Sequence, residues 1–100
     1  MDYLFFDNGP PDNTILVFTD PSTCVPCKRY EPIINDVSKT HRIKKYLPSD
    51  PLFEEFKCSA IPTTIIYVKK KEISRFVGFQ TKEQLLKMKG INDCKKERSI

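Results

Sequence analysis

Thr14-Ile15-Leu16-Val17-Phe18-Thr19, then Asp20-Pro21-Ser22-Thr23, then Cys24-Val25-Pro26-Cys27 is the stretch on which the reading of this chain turns. Its first six residues are apolar or β-branched without interruption, the composition of a short strand covered on both faces. Asp20-Pro21-Ser22 carries turn chemistry and ends that strand, just as Asn8-Gly9-Pro10-Pro11-Asp12-Asn13 bounds it upstream. From Pro26 onward the period changes. Tyr30, Ile33, Ile34 and Val37 recur at i, i+3, i+4 and i+7 with polar residues between them, so the spacing predicts an amphipathic helix over 25–39. Pro26 suits the first turn of that helix, where a missing N–H breaks no bond. Pro32 falls inside it, removes a ladder bond and predicts a kink.

Working outward, residues 3–6 predict a weaker strand near the N-terminus and residues 43–47 a short one after the helix. Ser49-Asp50-Pro51 is a helix start, with Asp50 as N-cap and Pro51 in the first helical position, so a short helix is expected over 51–56. Residues 63–68 carry the strongest strand signal, and residues 73–77 read as the antiparallel partner across a Lys69-Lys70-Lys71-Glu72 turn. Thr81-x-x-Gln84 has the form of a capping box before a last helix that stops near Gly90, with a frayed polar tail over 91–100. The order β, β, α, β, α, β, β, α implies an α/β chain: a mixed four- to five-stranded sheet flanked by about three helices.

The chain has 100 residues, which predicts a single domain over 1–100. Its net charge of +4 is too mild to argue for a nucleic-acid or membrane partner, and 39% apolar with 30% charged residues suffices for a core without disorder. No apolar run nears the roughly 18 residues that span a bilayer, and Met1-Asp2-Tyr3 lacks a basic leader region, so a soluble, cytoplasmic protein is expected. Four cysteines fall below the roughly 8 to 10% of a disulfide-stapled domain. They need another explanation.

Cys24 and Cys27 stand between a buried strand and the start of a helix. The first turn presents unpaired N–H groups and the positive end of the helix dipole there, which favours thiolate over thiol at Cys24. The two sulfurs fall one turn apart, close enough to bond, with Cys27 pointing inward. The chemistry is a two-step exchange in which Cys24 attacks a disulfide and Cys27 resolves the mixed disulfide. A CxxC pair also supplies half of a four-cysteine zinc site, but Cys58 and Cys94 form no second pair of that spacing.

Several separated segments together resemble the thioredoxin family over most of residues 15–86: Ile15-Leu16-Val17, Cys24-x-Pro26-Cys27-Lys28 with Pro32 beyond it, Ser59-Ala60-Ile61-Pro62-Thr63, and Val77-Gly78 before a capped helix. The resemblance implies a cis Ile61–Pro62 peptide facing the cysteines. It implies a substrate groove shaped by Val25, Pro26, Ile61, Pro62 and Gly78, with Cys24 as nucleophile and Cys27 as resolving thiol. It further implies a monomer that reduces disulfide-containing proteins, with no bound metal or organic cofactor beyond a Cys24–Cys27 redox disulfide. Electrons would come from a flavin-dependent thioredoxin reductase or from glutathione. Reduction is the expected direction because the cytosol keeps thiols reduced.

The chain also departs from the family. Phe18 stands where thioredoxins carry a buried aspartate that assists deprotonation of the second cysteine, and Asp20 and Thr23 stand at tryptophan positions. Val25 replaces a common glycine, and the stretch before Ile15 is short for a first helix, as in a trimmed version of the fold. Asp20 reads as a solvated turn residue rather than a substitute base. Lys44 loses the carboxylate it would face, His41 reads as a cap or surface residue, Cys58 as a buried structural thiol, and Cys94 as accessible in the tail. Two alternatives remain open: a glutaredoxin-like reductant fed by glutathione, although the Thr-Val-Pro loop and Gly-Gly pair of that family are missing, and a non-catalytic binding module using the same groove.

Overall fold

A computed structural model describes residues 9–96; the strand expected over 3–6 and the last four residues of the expected tail lie outside them. All five residues of β1 (Thr14–Phe18) are buried, because the strand is central and helices cover both faces. It pairs in parallel with β2 (Ile43–Tyr46) and antiparallel with β3 (Thr63–Val68), which pairs antiparallel with β4 (Lys71–Val77). The order is β2-β1-β3-β4, a mixed sheet of four strands among the described residues. A parallel pair requires a crossover, and α1 (Val25–Val37) supplies it.

Alternation along the strands divides the core between the two faces of the sheet. Ile15, Val17, Ile66 and Val68 meet Tyr30, Ile34 and Val37 of α1 and Leu85 of α3 (Lys82–Leu86). Leu16, Phe18 and Ile65 pack on the other face with Leu52 of α2 (Pro51–Glu55). The caps form as the residue types dictate: Asp50 Oδ1 accepts the Leu52 N–H at 3.0 Å, and Thr81 and Gln84 close a reciprocal capping box at 3.1 and 2.9 Å.

Several boundaries differ from expectation. α1 stops at Val37, two residues early, with Ser38 as its C-cap and Pro32 inside it. The hairpin turn is only residues 69–70. Lys69 and Lys70 both adopt left-handed φ (56° and 62°), the geometry of a two-residue turn matched to strand twist. The Lys70 N–H donates to Asp12 Oδ1 at 2.7 Å, which ties this turn to the segment before β1. Lys71 and Glu72 are therefore in β4, paired with Val68 and Tyr67.

The expected tail is folded as far as Lys96. α3 ends at Leu86, and Gly90, at φ +88°, opens a 3-10 helix over Ile91–Cys94. A Cβ at Gly90 would stand 3.0 Å from Ile66 Cγ2. Ile91 and Cys94, spaced to eclipse in a 3-10 turn, both face the core. The Arg42 N–H donates to the Cys94 carbonyl at 2.8 Å and the Lys96 N–H to the Thr40 carbonyl at 2.9 Å. Cys94 is thus buried rather than accessible, and burial pushes its thiol up to about 11. His41 is buried under the same segment instead of lying on the surface. Its ring shares a 2.8 Å hydrogen bond with Thr40, and burial followed by the Lys95 charge lowers its pKa.

Candidate active site

The site begins where β1 ends. The Thr19 N–H donates to the Tyr46 carbonyl at 2.8 Å, which keeps the chain on the sheet for one more residue. Asp20 then reverses it: its carbonyl accepts the Thr23 and Cys24 N–H groups at 3.1 Å each, and its carboxylate accepts the Ser22 hydroxyl at 2.7 Å. This turn delivers Cys24 in extended conformation to the N-cap of α1, where its sulfur accepts the Cys27 N–H at 3.3 Å. Pro26, lacking an N–H, sits in the first turn without leaving a donor unpaired.

The two sulfurs differ in access. Cys24 is half-buried, whereas Cys27 is fully buried on the stripe of α1 that includes Tyr30, Ile34 and Val37. Both are free thiols. Across from them, Cys24 Sγ lies 3.9 Å from the Ile61 carbonyl, and the Ile61–Pro62 peptide bond is cis. The Gly78 N–H donates to the Pro62 carbonyl at 2.7 Å. Gly78 has a φ of +105°, which side-chain-bearing residues rarely adopt, and the space where its Cβ would stand is open. Val25 (69% exposed), Val77 (54%) and Phe79 (40%) present apolar side chains to solvent. The structure thus joins Cys24, Cys27 and Ile61, and ties Pro62 to Gly78. Val25 and Pro26 are exposed on the helix turn between the cysteines.

Electrostatics at Cys24 depart from the expectation of a favoured thiolate. Desolvation is the largest influence and pushes the thiol up, and the Cys27 thiol acts in the same direction. The Cys27 N–H pulls it down, while charge on Cys27 and on Asp20 adds further upward pushes, so the balance of these contacts lies upward. One donated N–H does not outweigh a second sulfur competing for the same proton. A thiol of higher pKa is also the stronger nucleophile once ionised.

Asp20 is no substitute base. The Ser22 hydroxyl lowers the pKa of its carboxyl, and its charge opposes ionisation of Cys24. Removing that charge favours the thiolate, so Asp20→Asn is expected to speed alkylation of Cys24 by iodoacetamide near neutral pH and to move the pH–rate inflection to lower pH. An inflection that stays in place or moves up would contradict this.

Phe18 is fully buried on the α2 side of the sheet, its ring stacked on Tyr46 at 5.4 Å and edge-on to Phe53 at 5.8 Å. The next residue, Thr19, is also buried, and its hydroxyl is the one buried side-chain polar atom without a partner among the described residues. Neither supplies a base. Lys44, deprived of a carboxylate at position 18, stands over the Tyr46 ring at 5.7 Å. Cys58 is partly buried against the Leu16–Phe18 cluster, and burial raises its pKa. Among the described residues no group of three or more His, Cys, Asp or Glu side chains is placed to hold a metal ion.

Tyr30, which the helical period marks simply as core, shares a 2.8 Å hydrogen bond with Thr64 of β3 and accepts another from Gln80 Nε2 at 3.0 Å. All three residues are buried. The only hint in the sequence was polar Thr64 and Gln80 falling within or beside apolar runs.

No family model matches the chain. It is 31% identical over 70 residues to a thioredoxin of Chlamydia trachomatis, a match covering 65% of this chain and 69% of that protein. In three dimensions it superimposes on a mutant thioredoxin of Halobacterium salinarum with a TM-score of 0.67 at 19% identity, covering 74% of this chain and 69% of the other. For thioredoxin of Aeropyrum pernix the TM-score is 0.64 at 16% identity, covering 75% and 70%. For thioredoxin of Plasmodium falciparum it is 0.61 at 24% identity, covering 73% and 78%. At these identities the structural matches establish the fold. The Chlamydia relative adds similarity of sequence across more than two thirds of its own length, and by that measure the chain belongs to the thioredoxin family.

Proposed function

We propose that this protein reduces disulfide bonds in other proteins through the Cys24–Cys27 dithiol. The observation that carries the reading is the unequal access of two sulfurs one helical turn apart: Cys24 is reachable beside the Ile61 carbonyl, and Cys27 is sealed beneath it. Cys24, as thiolate, attacks one sulfur of the substrate disulfide. The S–S bond breaks, the departing sulfur takes up a proton, and a mixed disulfide joins Cys24 to the substrate. Cys27 then gives up its proton and attacks Cys24 Sγ, forming the internal disulfide and releasing the second substrate thiol. Two electrons and two protons pass to the substrate.

The backbone of Ile61 can pair with an extended substrate segment as an added strand would, between the exposed turn at Val25 and Pro26 and the side-chain-free wall at Gly78. The oxidised pair is returned to the dithiol by a flavin-dependent reductase or by glutathione in a reducing, cytoplasmic setting. The protein acts as a monomer without a bound cofactor.

The test is trapping. Cys27→Ser retains the attacking sulfur but not the resolving one, so incubation with a disulfide-bonded protein such as insulin is expected to accumulate a covalent adduct at Cys24, released by dithiothreitol and absent from Cys24→Ser. Absence of that adduct defeats the proposal. Recycling of the wild-type pair by glutathione alone would favour a glutaredoxin-like donor, and recycling by NADPH with a flavin-dependent reductase the thioredoxin-like one.

A further inference from the structure

Three elements wall the cysteine cleft: α1 carries the sulfurs, β3 continues from the Ile61–Pro62 peptide, and the Gly78–Gln80 segment follows β4. One side-chain hydroxyl touches all three. Tyr30, one turn beyond Cys27 on the same buried stripe, shares its 2.8 Å bond with Thr64 two residues past Pro62 and accepts the Gln80 amide at 3.0 Å. Its ring also meets Phe79 edge-on at 5.9 Å. The same Gln80 amide nitrogen also donates to Met88 Sδ at 3.3 Å. Among the described residues, these are the side-chain hydrogen bonds that join the buried face of α1 to the rest of the cleft.

We infer that Tyr30 is a positioning residue for substrate: its hydroxyl fixes how far the Gly78–Phe79 wall stands from the cysteine-bearing helix. The inference rests on the dithiol reading above and deepens it. The physical ground is the satisfiability of buried polar groups. The Tyr30 stripe position and Thr64 would serve packing equally well as apolar residues, whereas a hydroxyl linking a threonine and a glutamine demands one relative placement of their elements. Removing the hydroxyl leaves the Thr64 hydroxyl unpaired in the core and the Gln80 amide with only the weakly accepting Met88 sulfur, and the cheapest relief is for Gln80 to turn toward solvent, carrying Phe79 with it. Phe79 and Gly78 border the groove, so binding of a protein disulfide suffers while attack at sulfur does not.

Tyr30→Phe is therefore expected to raise KM for insulin reduction about five-fold, with kcat changing by less than about two-fold. Amide exchange at Phe79 and Gln80 in the free, reduced protein should quicken about ten-fold. The triple variant Tyr30→Phe, Thr64→Val, Gln80→Leu separates positioning from plain stability. With no orphaned polar groups it should regain a Tm near that of the wild type, yet keep the raised KM because the tie is gone. An unchanged KM in Tyr30→Phe, unchanged exchange at Phe79 and Gln80, or recovery of KM together with Tm in the triple variant overturns the inference. A wild-type protein that reduces no disulfide overturns the dithiol reading instead, and the exchange measurement then decides by itself whether Tyr30 holds the Gly78–Gln80 wall.

Discussion

Cys24→Ser is expected to abolish disulfide reduction, lowering turnover by at least about a thousand-fold, while leaving the fold intact or slightly firmer. The activity loss follows from the chemistry: a serine hydroxyl does not ionise at neutral pH and forms no mixed disulfide, so the first bond of the exchange cannot be made. The stability outcome follows from the position. Cys24 is the N-cap of α1 and accepts the Cys27 N–H through sulfur at 3.3 Å, a weak acceptor that serine oxygen replaces with a favoured cap. A thermal scan alongside an insulin-reduction assay checks both halves at once. Loss of activity with a steep fall in Tm would mean that the variant merely unfolds. Residual turnover near the wild-type rate would mean that another group performs the attack.

Phe18→Asp has the largest expected effect on stability. It restores the residue type that the family places six positions before the first cysteine, but into a pocket built for an aromatic ring. Phe18 is fully buried, with Tyr46, Phe53 and Phe56 arranged around it at centroid distances of 5.4, 5.8 and 6.2 Å. Emptying such a site costs about 3 to 5 kcal/mol, and a carboxylate left there pays desolvation as well. Against a total of about 5 to 15 kcal/mol for an ordinary domain, the variant sits at or past the edge of folding.

The pH dependence has a definite sign. A carboxyl in apolar surroundings has its folded pKa raised above the unfolded value, so the folded state binds its proton more tightly. Whatever fold the variant retains is strongest in acid and weakens as pH rises through that raised pKa. Thermal scans at pH 4 and pH 7 check it, with Phe18→Leu as the control that keeps the site apolar. A Phe18→Asp protein as stable as wild type at pH 7 would show that the pocket opens to water. Aromatic packing thus occupies the position where the family has its carboxylate. Asp20, the nearest candidate along the chain, works against ionisation of Cys24.

Much of the site was legible because its chemistry is local. A cysteine's place at a helix start, the capping residues Asp50 and Thr81, and the switch from strand period to helix period are all set by residues within a turn of one another. The direction of the pKa at Cys24 was not legible. The sequence displays the helix end that favours charge, but not the burial and the second sulfur that oppose it. The same blindness hid the Tyr30–Thr64–Gln80 junction, whose members are far apart along the chain and meet only when α1 closes over β3.

The tail shows the division most clearly. By composition the last residues are polar, and Ile91 and Cys94 are too few to announce a helix. What seats them is a surface that no local window contains: Ile66 and Ile73 closing on Gly90, and the backbone of residues 40–42 offering a free edge. Sequence alone determined most of the described elements, the caps at Asp50 and Thr81, the mixed α/β order and the place of the Cys24–Cys27 pair at a helix start, since these depend on period and on neighbours in the chain. Tertiary structure alone decided which way the Cys24 pKa moves, which hydroxyl joins three elements and which polar tail folds, since burial belongs to surfaces assembled from distant segments.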